Sequence, residues 1–243
     1  MRIREVRFEE LPLLQDIERA AGRCFRDIGM PEIADDEPLP LDELARYQQE
    51  GSAWAAVDEA DTPVAYLIAD HVDGNLHVEQ VSVHPDSARR GIGRSLLDHL
   101  AERAATHNIP ALTLTTFADV PWNAPYYGRC GFQPLDDNLL SPGLQDIRAR
   151  EAAHGLDRWP RLFMHRTVCG SGLTSTSSHE QPLTATSSHD ADRLTGANPV
   201  NHRGRITSSP TRADEAGGAG QRARHGTARA DATYMLAAGR RRP

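Results

Sequence analysis

Apolar residues stop recurring at Val168, and this limits what the 243-residue chain can fold. From residue 169 to 243 only six of 75 residues are Leu, Ile, Val or Phe. Such a segment cannot bury enough apolar surface to offset a chain entropy of roughly 1–2 kcal/mol per residue. Residues 169–243 therefore read as a low-complexity tail, expected to be disordered, and residues 1–168 as the folded domain. The tail dilutes the hydrophobic content to 39% and the aromatic content to 5%, both low for a folded chain of this length. It holds a short local repeat, TSSHE and TSSHD, and an arginine-rich end.

Charge separates the same two parts. Lysine is absent, so all 27 basic residues are arginines. Residues 1–168 hold 17 Arg against 28 Asp and Glu, net −11, and residues 169–243 hold 10 against 6, net +4. An acidic body repels a phosphate backbone, and the basic tail has only Tyr234 as an aromatic, so nucleic acid is not an expected partner. No run of about 18 apolar residues offers a membrane span. The start, MRIREVRFEE, lacks the apolar stretch of a secretory signal. Cys24, Cys130 and Cys169 are single and widely spaced, which fits neither a zinc site nor a disulfide framework. A cytoplasmic setting without a metal is the expectation.

Hydrophobic periodicity orders the elements. Strands are expected at residues 2–8, 52–58, 63–70, 75–83, 111–117, 132–136 and 161–168. Helices are expected at 10–26, 41–49, 94–108, 123–130 and 144–154, with 27–40 a loop. Asp73-Gly74 marks a tight hairpin turn. The order predicts an α/β domain with a mixed, mostly antiparallel central sheet, helices on both faces and a β-α-β crossover in the middle. Strict alternation along 75–83 would place His77, Glu79, Val81 and Val83 on one side and Val78, Gln80 and Ser82 on the other.

The sharpest local signal is Val81-Ser82-Val83, then HPDSA, then Arg89-Arg90-Gly91-Ile92-Gly93-Arg94, then SLL. A strand ends, a loop turns and a helix starts at the glycines. Gly91 and Gly93 let backbone N–H groups approach an anion, and the helix start adds unpaired donors and partial positive charge. Three arginines gather there in an otherwise acidic body. A P-loop needs a lysine, and a dinucleotide fingerprint needs a third glycine where Leu96 stands. A basic helix start whose glycines serve only the turn is the structural alternative.

Strand, RRGIGR loop, leucine-containing helix, second strand and NAPYYGRCGF together resemble the GNAT family of acyl-CoA-dependent N-acyltransferases. The resemblance spans residues 1–168 by element order and is sharpest over about 76–135. It implies that the loop, with Arg89, Arg90, Gly91, Ile92, Gly93 and Arg94, binds the coenzyme A pyrophosphate. Ala88 stands where the family loop has Gln or Arg. The resemblance also implies that the backbone of Val81, Ser82 and Val83 pairs with the pantetheine arm. Asn123 is the Asn nearest the expected cofactor position, which Val120 occupies. Acetyl-CoA is thus the expected acyl donor, and an amine the expected acceptor. A homodimer is compatible with the family.

Amide formation from a thioester needs a neutral amine, a polarised carbonyl and a proton for the leaving thiolate. Tyr127, in a Y-x-x-x-G-F match, is the acid candidate, with Tyr126 as packing neighbour or substitute. Glu79 is the base candidate, directly or through water, and His77 the second. Glu79 could equally pair with an arginine for structural reasons. An acyl-Cys130 intermediate is the minor alternative to direct transfer. Acids at Glu32, Asp35, Asp36 and Glu37 suggest a cationic acceptor such as a polyamine, an aminoglycoside or a protein amino terminus. The competing class is a non-catalytic acyl-CoA-binding module.

Overall fold

The computed structural model describes residues 1–168. The expected disordered tail, its repeat and Cys169 lie outside the described residues. Seven strands form one sheet: β1 (Arg2–Glu5), β2 (Ala53–Val57), β3 (Pro63–Val72), β4 (Asn75–Val83), β5 (Ala111–Phe117), β6 (Gln133–Leu135) and β7 (Arg161–Thr167). Their order is β1-β2-β3-β4-β5-β7-β6. Every neighbouring pair is antiparallel except β4 and β5. Those two are joined by α4 (Ile92–Thr106), the expected crossover. The other helices are α1 (Leu11–Gly22), α2 (Pro31–Ala34), α3 (Leu41–Gln49), α5 (Ala124–Arg129) and α6 (Pro142–Ala153). The mixed α/β class expected from the sequence is the one observed.

Each face of the sheet is covered because α1, α3, α4 and α6 bury apolar residues at helical spacing. Ile92, Leu96, Leu97, Leu100 and Ala104 of α4 pack with Ala65, Leu67, Val78, Val81, Val83, Leu112 and Leu114. Leu11, Leu14 and Ile17 of α1 and Leu44 and Tyr47 of α3 pack with Ala53, Ala55, Val57, Tyr66 and Ile68 on the opposite face. Leu144 and Ile147 of α6 join Phe163. The β3–β4 turn takes the left-handed conformation at both Asp73 (φ 48°) and Gly74 (φ 81°), the geometry that suits the twist of a two-residue hairpin. Asp61 ties the β2–β3 turn to β1 by ion pairs to Arg2 and Arg4 at 2.6 and 2.9 Å, and to Arg7 just beyond it at 2.6 Å.

Two departures matter for function. First, the strict alternation expected along β4 fails. Ile68 pairs with Gln80 but Ala69 pairs with Val78, so Glu79 is the extra residue of a β-bulge. The bulge resets the pleat, and Val81 and Val83 join Val78 on the α4 face instead of sharing a side with His77. Second, β4 and β5 pair only over Leu76–Val78 and Leu112–Leu114. Beyond that β4 runs on to Val83 beside β3, and β5 runs on to Phe117 beside β7. The strands diverge where the bulge bends β4, and a wedge opens in the middle of the sheet.

Smaller differences have local causes. The expected first helix ends at Gly22 and tightens into a 3-10 segment over Arg23–Ile28, and the expected loop contains the single turn α2, opened by Pro31. Among the described residues no helix is long and apolar enough to cross a membrane.

Candidate active site

The wedge has β4 residues 79–83 along one side, β5 residues 115–117 along the other, and α4 and α5 at its ends in sequence. The loop entering α4 sits directly after β4. Arg89 and Gly91 both take positive φ, 60° and 76°, and Gly91 is the helix N-cap. A glycine has no side chain to satisfy the first-turn N–H groups, and among the described residues no side-chain cap bond is made here. A 15-residue helix thus starts with backbone donors directed at the loop. Arg89 and Arg90 are exposed and unpaired by any acid among the described residues. Arg94 is different: it lies 3.8 Å from Asp98, which also holds Arg166 at 2.7 Å. Among the described residues, two of the three loop arginines have no acidic partner at the helix start.

Val81, Ser82 and Val83 are buried, and their strand has no β5 partner at this level. Glu79, at the bulge, is 4% exposed. His77 lies instead inside the paired rung, opposite Thr113, with its Nδ1 3.0 Å from the Thr113 hydroxyl. The bulge separates the two base candidates, with only Glu79 at the mouth of the wedge.

The chain leaving β5 concentrates unsatisfied polarity. Thr116 Oγ1, Trp122 Nε1, both amide atoms of Asn123 and Tyr127 Oη are buried without a hydrogen-bond partner among the described residues. Each such group costs about 1–3 kcal/mol when it stays unpaired. Native structures rarely tolerate several together unless ordered water or a ligand completes them. Tyr127 is fully buried, with its ring edge-on to Tyr126 and Phe132 at 5.8 Å each. Burial holds its phenol well above the ordinary value, with Cys130 reinforcing and Arg161 opposing, so it keeps its proton. Burial also pushes the Cys130 thiol up, which makes it a poor nucleophile.

The sequence reading missed a second feature of this region. Arg161 and Glu151 form an ion pair at 2.9 Å with side chains only 4% and 5% exposed, joined by Thr115. Arg161 also stacks 4.6 Å from the Phe117 ring centroid, at the open end of β5. Phe117, Phe25, Trp122 and Trp159 form an aromatic cluster there. The acidic loop is less negative than its sequence suggests. Glu32 lies 3.7 Å from Arg158, Glu37 lies 3.9 Å from Arg19, and Asp35 pairs with Arg26.

An uncapped helix start, free arginines, a released strand edge and orphaned buried donors suit a long ligand with an anionic middle and a polar reactive end. Acyl-CoA has that form, so the residues fit it. Residues 14–132 match the family model described as the acetyltransferase (GNAT) family. The fold is similar to that of a GNAT-family acetyltransferase from Staphylococcus aureus Mu50, with a TM-score of 0.52 and 16% identity over 69% of this chain and 99% of that one. It is also similar to the PaiA N-acetyltransferase from Thermoplasma acidophilum, solved with coenzyme A, with a TM-score of 0.51 and 16% identity over 68% and 98%. Residues 14–132, most of the folded domain, are a GNAT acetyltransferase family domain.

Proposed function

We propose that the domain transfers an acetyl group from acetyl-CoA to a primary amine by direct attack in a ternary complex. The observation that carries the proposal is the row of buried, unpartnered polar atoms from Thr116 to Tyr127 beside a wedge whose other end is an uncapped helix start. When bound, acetyl-CoA supplies an acetyl thioester whose carbonyl is open to an amine.

The first-turn amides of α4, with Arg89 and Arg90, hold the pyrophosphate. Backbone groups of Val81, Ser82 and Val83 hold the pantetheine arm, and a backbone N–H at this edge donates to the carbonyl oxygen as its charge grows. Gly93 brings no side chain to the helix start, and Ile92 turns its own into the core beneath α4. Asn123 completes its amide bonds on the bound donor. Glu79 takes a proton from the nitrogen as the new C–N bond forms. Tyr127 donates to the departing thiolate. Holding both reactants in one wedge contributes roughly 7–11 kcal/mol. A buried, protonated Cys130 favours direct attack over an acyl-enzyme.

The acceptor is an amine of a small molecule or a protein. Three arginines answer three of the four loop acids, so the rim gives a cationic acceptor less attraction than its composition suggests. Thiol release from acetyl-CoA should be measured over a panel of spermidine, kanamycin and an alanyl tripeptide, with acetyl-CoA binding in parallel. Saturable binding with amine-dependent release supports the proposal. Binding without release across a broadened panel supports the non-catalytic binding module.

A further inference from the structure

The strands β6 and β7 are antiparallel neighbours, with Leu135 opposite Phe163. A two-residue turn could join such a pair. Instead residues 136–160 intervene, carrying α6 and the 3-10 turns Asp137–Leu139 and Leu156–Arg158. The buried positions of α6 are Leu144, Ile147 and Glu151, spaced by three and then four residues. A carboxylate therefore stands where the apolar stripe calls for another apolar side chain.

Glu151 meets Arg161, the first residue of β7, through two parallel bonds. Arg161 Nε donates to Oε2 at 3.2 Å and Nη2 donates to Oε1 at 2.9 Å. Thr115 of β5 closes the triangle. Its hydroxyl donates to Glu151 Oε2 at 3.3 Å and accepts from Arg161 Nη2 at 3.3 Å. Apolar side chains of similar volume would serve stability as well, because both charges had to leave water. What the bidentate pair adds is direction: it fixes α6, β5 and β7 to one another in a single geometry. A cavity of about 250 Å³ lies beside the pair, lined by Arg148, Glu151, Asp157, Trp159 and Arg161 among others. Close packing does not fill this place, so the ion pair does the holding.

The triangle adjoins the wedge. β4 pairs with β5 only as far as Leu114, so Thr115, Thr116 and Phe117 form the released edge, held from behind by β7 alone. Leu112 and Leu114 face α4, and the alternation turns Thr115 and Phe117 to the other side. There Arg161 lies opposite Phe117 in register and covers its ring. Leu156 and Trp159 of the long connection join Phe25, Met30 and Ile33, from the segment after α1, over the same ring. Glu32 and Arg158, 3.7 Å apart, link the two segments at the surface. The end of β5 is thus roofed on the side opposite the loop entering α4.

We propose that Glu151 and Arg161 are positioning residues for the acceptor amine: their buried pair, closed through Thr115, sets the roof and the released edge of β5 that together shape the acceptor end of the wedge. This rests on the acetyl-transfer reading. The donor is held along β4 and at the start of α4, so the pair acts on the amine and not on acetyl-CoA. A displacement of about 1 Å at a reacting centre can cost about 100-fold, which is the scale of misplacement that a loosened segment allows.

The test is steady-state kinetics over the amine panel for the unmodified chain, the double variant Glu151→Leu with Arg161→Leu, and Arg161→Lys. Acetyl-CoA binding and thermal unfolding are measured alongside. The double variant should unfold near the temperature of the unmodified chain, which separates positioning from stability. It should bind acetyl-CoA within about twofold, yet raise KM for the best amine about tenfold or more with kcat within about threefold. The ratio of kcat/KM between the best and the poorest amine should fall about tenfold, since a loose roof discriminates less. Arg161→Lys keeps the charge and loses the fork, so its amine KM should lie between the two. A stable double variant with amine KM and selectivity within about twofold of the unmodified chain overturns the positioning role and leaves acetyl transfer standing. Acetyl-CoA affinity that falls as much as amine affinity also overturns it. If the double variant does not fold, Arg161→Lys decides, and an unchanged amine KM and selectivity overturn the role. No amine-dependent turnover by the unmodified chain overturns both readings.

Discussion

Replacing Tyr127 with Phe should make the protein more stable and much less active. The ring keeps its edge-on contacts to Tyr126 and Phe132, both at 5.8 Å, so packing is preserved. Only the hydroxyl is lost, and that oxygen is buried without a partner. An unpaired buried hydroxyl costs about 1–3 kcal/mol, so its removal should stabilise the unliganded domain by about 1 kcal/mol. For a domain of this size that raises Tm by about 2–4 °C. The same change removes the proton donor for the thiolate, and kcat should fall about 10²–10⁴-fold, or about 2.7–5.5 kcal/mol in the barrier. Acetyl-CoA affinity should change little. Thermal unfolding without ligand and steady-state thiol release measure both halves. A destabilisation beyond about 1 kcal/mol would mean that the hydroxyl serves the fold. A kcat within about threefold of the unmodified chain would remove the acid role.

Glu151→Ala should cost about 3–5 kcal/mol in denaturant unfolding, because it strands the Arg161 guanidinium in a site only 4% exposed. A paired Glu151→Leu, Arg161→Leu variant should recover most of that loss. Glu18→Gln should raise Tm at pH 8 more than at pH 5. The native carboxyl binds its proton more tightly than the unfolded one, at about 7 against 4.5, so the native state loses relative stability as pH rises through that window and a neutral Gln escapes the loss. After discounting for solvent at this half-buried site the gain is about 1–2 kcal/mol; equal shifts at both pH values would contradict it. Arg90→Glu should weaken acetyl-CoA binding about tenfold or more in calorimetry at low salt, with less effect in high salt.

The sheet was legible because its signals are local. The strands at 75–83 and 111–117 and the helix at 41–49 carry β-branched or amphipathic runs bounded by turn residues, and they appear with those bounds. The helix after the glycines begins at Ile92 and not Arg94, because the chain turns at Gly91 itself. The bulge was not read, although its trace is there: Glu79 and Gln80 are consecutive polar residues inside an apolar strand. A period-two reading assumes no extra residue, so it assigns faces beyond an insertion wrongly. The site residues that the sequence can propose lie where the family motif is contiguous, in the Arg89–Arg94 loop and at Tyr127. It was opaque where partners are remote. Glu18 looks like a solvent-side helix residue beside the Leu14–Ile17 stripe, and its partner Tyr66 is 48 positions away. Nothing in the sequence pairs Arg161 with Glu151, ten positions earlier, yet folding buries them together.

Backbone amide NMR of the chain during titration with acetyl-CoA tests the central claim most directly. The account predicts saturable shifts concentrated at Gly91 to Arg94 and at Val81 to Val83, with the Asn123 side-chain amide moving alongside them. Saturable binding that leaves those amides unmoved, or no binding by a folded sample, would contradict it.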